Sequence, residues 1–430
     1  MKIPERSPDI DSSIYSESLR ASPDAIAYAK RYNELYLHWD ELRYREFGTS
    51  NRMDVWRLMK LTRIMSYRQV GIGSLHLSYS PYDSSLQKML LEIDSRALSG
   101  FPMSCGVDAK EKSILSIGST MEESIASSQL EGASTTTELA KKLLRSGHQP
   151  NDRSQRMILN NYRAMQLIKE HLNEPLSIQL ILDVHRTVTD ELMDDPDDSG
   201  RFRGDDSIVI RDVYDDVTYH VPPKHEEIDG MMGDLCSYAN DGSDPIHPII
   251  KGIVLHYALA YIHPFKDGNG KVSRALFYWY CMKNGYPMME FLSISKAIKD
   301  HRQGYDMVYL LSETDGDDIT YFIRYNLKMV LESIRALDDC LERRDAQHEG
   351  PVDGLSSRQT RILKDMMRDG GSVSQYEISV RYQISVPTAR RDLLKLMERG
   401  LVKEAGKDGH RQLYALDSNG SRGRGISSRM

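Results

Sequence analysis

His263-Pro264-Phe265-Lys266-Asp267-Gly268-Asn269-Gly270-Lys271-Val272-Ser273-Arg274 is the stretch on which the reading of this chain turns. An apolar segment, Ile253 to Ile262, leads into it, and a second, Ala275 to Cys281, leads out. Neither contains Gly or Pro, which predicts two buried helices joined by a short polar loop. Gly268 and Gly270 bracket Asn269, so successive backbone N–H groups can turn into one concavity at the start of the second helix, where the helix dipole favours an anion. His263, at the loop entrance, can take a proton near neutral pH, and Asp267 can hold a hard cation such as Mg²⁺. Lys271 and Arg274 stand one turn apart on the new helix, so both cations can reach one polyphosphate. These residue types in this order point to transfer of a phosphorus-containing group. The bland alternative is a loop whose glycines only permit a turn. Seven fixed residues in one pattern arise by chance on the order of once per billion start positions, which weighs against it.

The same residues resemble the signature of the Fic family, His-Pro-Phe-x-Asp/Glu-Gly-Asn-Gly-Arg-x-x-Arg. One position departs from it: Lys271 stands where the family has its first Arg, which keeps the charge and loses the planar bidentate fork. The resemblance implies a mainly α fold with a helical Fic core, and protein AMPylation, the transfer of AMP from ATP to a Ser, Thr or Tyr hydroxyl of a target protein. It implies His263 as the catalytic base and Asp267 as the Mg²⁺ ligand. Gly268, Asn269 and Gly270 then bind phosphate oxygens through the nest and amide, and Lys271 and Arg274 take the β- and γ-phosphates. Removal of AMP, or transfer of another phosphate-linked group, stays open at the same site. So does a reading from another class, a DNA-binding transcriptional regulator that uses the Fic core as a ligand sensor.

Upstream, Ser113 to Gly132 reads as a helix with an apolar stripe of Ile114, Ile117, Met121 and Ile125. Ser127 and Glu131 are four apart on one face at its end, and Gly132 is a natural stop. A carboxylate in a last helical turn opposes the helix dipole and calls for a cation. Beside the Fic signature, Ser127-Ser128-Gln129-Leu130-Glu131-Gly132 resembles the family's inhibitory motif, Ser/Thr-x-x-x-Glu-Gly/Asn. That resemblance implies a pairing of Glu131 with Arg274 that obstructs the ATP γ-phosphate. Between the two motifs, Ser207 to Ile210 and Thr218 to Val221 are short β-favouring runs around Asp212 to Asp216. This hairpin, residues 207–221, resembles the Fic flap, on which a target segment docks by adding a strand. His185 lies on an apolar helix face and reads as a hydrogen-bonded core histidine, and Asp194 to Ser199 reads as a solvated acidic turn.

The flanks are read from pattern. Residues 1 to about 24 are rich in Ser, Asp, Glu and Pro and are expected to drape loosely. Helices begin at Pro23 and run over Asp54 to Met65, with Trp39 and Trp56 as packing anchors and a turn-rich break at Tyr79 to Asp83. After the central motif, Ile298 to Leu311 and Ile319 to Leu341 supply two more helices, and Tyr305 falls where family members sometimes contact the base. Beyond a polar linker at 346–354, three helical stretches (Ser357–Met367, Ser374–Val380, Val386–Arg399) and a hairpin with a basic tip at Lys407, His410 and Arg411 resemble a winged helix-turn-helix. Arg390, Arg391 and Lys395 stand opposite Leu393, Leu394 and Met397 on its third helix.

Charge supports that division. Residues 351–430 hold 15 basic and 9 acidic side chains, a surplus of six, which leaves residues 1–350 at −13 within the net −7. A basic unit on an acidic body is a footprint for nucleic acid, so residues 355–417 are the place for a DNA contact. At 40% hydrophobic and 28% charged residues, without a long apolar run or an apolar signal core, the chain is expected to be soluble and cytoplasmic, with no membrane partner. Cys105, Cys236, Cys281 and Cys340 form no CxxC pair and are expected to be reduced, buried thiols. The expected order is an N-terminal helical region (1–112), a Fic domain with inhibitory helix (113–345), a linker (346–354), a winged helix-turn-helix (355–417) and a disordered tail (418–430). A homodimer stays open.

Overall fold

The computed structural model describes residues 2–9, 21–98, 109–211, 217–348, 355–369, 372–382, 384–408 and 411–417. The expectations for 10–20, the hairpin turn 212–216, most of the linker (349–354), Gln383, His410, Cys105 and the tail 418–430 lie outside the described residues. The chain divides into two compact units, Met1–Arg335 and Ala336–Met430.

The first unit is helical. Its N-terminal layer contains α1 (Pro23–Leu35), α2 (Trp39–Leu42) and α3 (Arg52–Ser66). Ser22 caps α1 through its hydroxyl and Pro23 pre-sets the first turn, while Asn51 caps α3. Trp39 and Trp56 anchor this layer, with ring centroids 5.9 Å apart. Contrary to the expectation of a loose N-terminus, the segment 2–9 is fastened. Glu5 pairs with Arg52 at 2.9 Å, and the Ser7 N–H donates to the Thr314 carbonyl at 2.8 Å.

The residues from 68 to 98 hold two elements not anticipated: an antiparallel hairpin, β1 (Arg68–Ile72) with β2 (Leu75–Tyr79), and helix α4 (Ser84–Leu98). Val70, Ile72, Leu75, Leu77 and Tyr79 are buried along the hairpin, a period-two pattern that marks a half-buried strand pair.

The central bundle follows: α5 (Ala109–Leu130), α6 (Thr137–Ser146), α7 (Arg153–Glu170), α8 (Ile178–Thr189), a short hairpin of β3 (Ile210–Arg211) and β4 (Thr218–His220), then α9 (Ile228–Asn240), α10 (Pro248–Ile262) and α11 (Asn269–Lys283). On α5 only the later half of the expected stripe is buried. Met121 and Ile125 are in the core, whereas Ile114 and Ile117 are 60% and 44% exposed. The hairpin is shorter than expected and carries a register shift between Ile210 and Arg211. α10 is buried almost all round, as a helix apolar on every face must be, and α11 is buried as fully although its first turns carry Lys271, Ser273 and Arg274. The single helix expected over Ile298 to Leu311 is broken at His301 into α12 (Ile294–Asp300) and α13 (Arg302–Thr314), and α14 (Thr320–His348) follows, its residues from Ala336 on belonging to the second unit. Lys60 and Arg63 of α3 reach Asp315 at 2.8 and 3.6 Å, tying the N-terminal layer to the loop before α14.

The second unit contains α15 (Ser357–Asp369), β5 (Val373–Ser374), α16 (Gln375–Arg381), α17 (Val386–Glu398), β6 (Val402–Asp408) and β7 (Arg411–Leu416), with sheet order β5-β7-β6. Ile362, Leu363, Met366, Ile378, Leu393, Leu396 and Tyr414 form its core. Arg390, Arg391 and Lys395 are exposed on α17, and Leu394, expected on the packed face, is 40% exposed. Cys236 and Cys281 are buried, but Cys340 is exposed, against expectation. Among the described residues no helix is long and apolar enough to cross a membrane.

Candidate active site

α10 ends because His263 enters the left-handed region, with φ 48° and ψ 57°, and its N–H closes the helix on the Leu259 carbonyl at 3.0 Å. The chain then turns through Pro264 and Phe265. Phe265 is fully buried and stacks on the His185 ring at 3.7 Å between centroids, 4° from parallel. His185 Nε2 donates to the Asp267 carbonyl at 2.9 Å, and its Nδ1 accepts the Gly200 N–H at 2.9 Å, so His185 is a structural histidine that braces this loop. The Asn269 side chain closes the turn from inside: Oδ1 accepts the Phe265 N–H at 3.0 Å and Nδ2 donates to the Phe265 carbonyl at 2.8 Å. The amide expected to reach a phosphate is therefore held in the loop, and Asn269 offers its backbone N–H instead.

Gly268, at φ 83°, is the N-cap of α11, and it has no side chain with which to cap. The N–H groups of the first helical turn are left for an outside acceptor, which makes the helix start an anion site. Lys271 and Arg274 are both buried beside it, 3% and 4% exposed. Burial drives the Lys271 ammonium's pKa down, against the pull of Glu131 and Asp267. Asp267 is separate from this buried pair. Its carboxylate is 55% exposed, accepts the Gly268 N–H at 2.6 Å and has Arg153 4.0 Å away.

His263 donates through Nδ1 to the Ala260 carbonyl at 3.2 Å, which assigns the free lone pair to Nε2. Burial lowers its pKa to about 4, and neighbouring His220 pushes the same way, so the ring is a neutral base at ordinary pH. A cavity of about 430 Å³ opens on His263, Gly270, Arg274, Glu131, Tyr305 and the hairpin residue Tyr219. A ligand there would meet a neutral base, a helix N-terminus and a buried guanidinium together.

The resting geometry already gives that guanidinium a partner. Arg274 Nη2 is 2.8 Å from Glu131 Oε1, and Arg274 Nε and Nη2 donate to the Ser127 hydroxyl at 3.0 and 2.9 Å. Glu131 lies just past the end of α5, in the turn that Gly132 completes at φ 93°. Its carboxylate also presses on the anion site, where a Cβ at Gly270 would collide with it. Desolvation works to raise the Glu131 pKa, but Arg274 and then Lys271 outweigh it and the net direction is down. Glu131 is thus a carboxylate, and it holds the ground that an anion would take.

Sequence reasoning missed three contributors. Glu123, two turns before Glu131, is buried and accepts from the Tyr278 hydroxyl at 2.8 Å and the Ser295 N–H at 2.9 Å. His220 of β4 reaches the Tyr261 carbonyl at 2.7 Å and Glu313 at 2.9 Å, fastening the hairpin to the cavity wall. Arg203, in the irregular segment before the hairpin, touches the backbone of the His263 loop. A buried Arg outside any helix face leaves no periodic signal; only its charge in an otherwise packed region could have marked it.

Comparison with known proteins bears on the domains and the fold. The Fic/DOC family profile matches residues 175–281, and a DeoR-like helix-turn-helix domain matches 358–405. The protein adenylyltransferase Fic of Aedes aegypti is 31% identical over 217 residues, 50% of this chain and 38% of the relative. That of Drosophila grimshawi is 33% identical over 171 residues, 39% and 32% respectively. The matches thus span only about a third of these curated relatives' own length. Among solved structures, a Fic family protein from Desulfovibrio desulfuricans superposes with a TM-score of 0.51 at 19% identity, covering 78% of this chain and 96% of that one. A variant of Fic-1 from C. elegans gives 0.53 at 19% identity, covering 77% and 93%. At these identities the likeness is one of fold.

Proposed function

From a chain that carries a Fic domain over residues 175–281 and a DeoR-like helix-turn-helix over 358–405, we propose a protein adenylyltransferase held off at rest by its own Glu131. The observation that carries this reading is a neutral His263 with a free Nε2, facing the same cavity as Arg274 at an uncapped helix start. His263 takes the proton of a target Ser, Thr or Tyr hydroxyl. The hydroxyl oxygen bonds to the α-phosphorus of ATP, the bond from that phosphorus to the bridging oxygen breaks, and pyrophosphate leaves. The protein's share is positioning and charge neutralisation. The N–H groups of the first turn of α11 receive phosphate oxygens, and Lys271 and Arg274 receive the β- and γ-phosphates. The edge of the β3–β4 hairpin takes the target segment as an added strand. Transfer of label from α-labelled ATP to protein tests the reading; its absence in an activated variant removes it.

Asp267 fits a Mg²⁺ ion, because that ion is commonly held by one or two carboxylates with the substrate's phosphates, and the Asp267 carboxylate is half-exposed beside the phosphate site. When bound, the ion would neutralise charge on the departing pyrophosphate. Asp267→Ala is expected to raise the Mg²⁺ concentration for half-maximal transfer by about tenfold or more. An unchanged Mg²⁺ titration would refute the role.

A second activity is supported by the helix-turn-helix match and by Arg390, Arg391 and Lys395 exposed along α17. We read residues 355–417 as a DNA-binding unit. Replacing Arg390 and Arg391 with Ala in the full chain should lower the slope of log affinity against log salt by about two, one phosphate contact each. DNA retention with an unaltered salt slope would take these residues out of the interface.

A further inference from the structure

Arg203 belongs to no motif read from the sequence, yet its side chain is only 1% exposed and its donors are spent mostly on backbone carbonyls. Its own N–H donates to the Pro264 carbonyl at 2.8 Å, and its Nε donates to the His263 carbonyl at 3.0 Å. Nη1 donates to the Asp205 carbonyl at 2.9 Å and the Asp206 carboxylate at 3.0 Å, and Nη2 donates to the Pro223 carbonyl. Asp206 Oδ1 in turn accepts the His225 N–H at 2.7 Å. One guanidinium therefore gathers the way into the hairpin (205–206), the way out of it (223–225) and the peptide that follows the catalytic histidine.

Two physical points make this more than a fold contact. His263 is a non-glycine residue at φ 48°, a conformation that L residues occupy only where surrounding bonds over-determine it. The Arg203 bond to the His263 carbonyl fixes the peptide plane on one side of that Cα, and with it the direction of the imidazole. Second, a buried guanidinium whose one carboxylate partner among the described residues is 49% exposed is a poor source of stability, since desolvation offsets the attraction. Lysine could not replace it, because three donors on one atom cannot span His263, Asp206 and Pro223.

We propose that Arg203 is a positioning residue that aims the His263 imidazole and locks it to both roots of the hairpin, so that target docking and base placement form one mechanical unit. This rests on the assignment of His263 as the base. The experiment compares Arg203→Lys with its parent in a Glu131→Gly background, measuring label transferred from α-labelled ATP per ATP-binding site, alongside ATP affinity. Turnover per site should fall by about ten- to a hundredfold, the scale of a displacement near 1 Å, with ATP affinity within about threefold. A merely structural residue would lower the number of binding sites and leave turnover per site at the parent value, and that result overturns the proposal. Should Arg203→Lys not fold, Asp206→Asn keeps the guanidinium and removes its carboxylate partner. There a fall of about two- to fivefold in turnover per site is expected, and parental turnover overturns the proposal. A His263→Ala control separates the two ideas: full transfer without the histidine defeats the base assignment, whatever Arg203 does.

Discussion

Replacing His263 with Ala is expected to cut transfer of label from α-labelled ATP by about 10²- to 10⁴-fold, the range for loss of a placed general base. ATP affinity should hold, because in the proposed mechanism the phosphates are assigned to the helix start, Lys271 and Arg274 rather than to the imidazole. The pH dependence follows from the same ring. Burial lowers its pKa to about 4, so the base form is present above that value and is lost as the pH falls through it. The acid limb of kcat/KM in the free enzyme should therefore lie near pH 4, not at the 6.5 of an ordinary histidine. Retained transfer in the alanine variant, or an acid limb that survives the substitution, would move the base elsewhere.

Glu131→Gly is expected to raise transfer by about tenfold or more, since the carboxylate that meets Arg274 at 2.8 Å and crowds Gly270 is removed. Arg274 is not orphaned by the change, because the Ser127 hydroxyl and carbonyl still accept from it. The guanidinium stays in place and becomes free to meet a phosphate. Arg274→Ala should not mimic the activation, as it removes the phosphate partner with the clamp. The double variant should behave like Arg274→Ala, because releasing an absent residue achieves nothing. A labelling assay on the four proteins decides it; equal activity in wild type and Glu131→Gly would leave Glu131 as an ordinary turn residue.

What was legible in the sequence was whatever repeats or clusters locally. The two apolar runs around 263–274 foretell α10 and α11, and Ser127, Glu131 and Gly132 mark the end of α5. The basic third helix of the C-terminal unit was visible for the same reason. The hairpin at 68–79 was missed although apolar and polar residues alternate along it, because its two strands are only five residues each and follow the helical spacing of α3 directly. The break at His301 falls on no Gly or Pro, and the nearest glycine, Gly304, lies inside the first turn of α13. At the site, sequence order could pair Glu131 with Arg274 only through a family pattern. The bracing of the loop by His185 and the reach of Arg203 and His220 come from contacts over dozens of residues, which no local pattern records; the grip of Asn269 on Phe265 is local, but it depends on a side-chain direction that spacing alone does not give.

Transfer of AMP is distinguished from transfer of phosphate by which part of ATP reaches protein. Glu131→Gly should be incubated with Mg²⁺ and either α-labelled or γ-labelled ATP, and the protein-bound label counted. Label from the α position and none from the γ position is the expected result, since attack at the α-phosphorus releases both outer phosphates as pyrophosphate. Label from the γ position, or none from either, would contradict the transfer of AMP by this site.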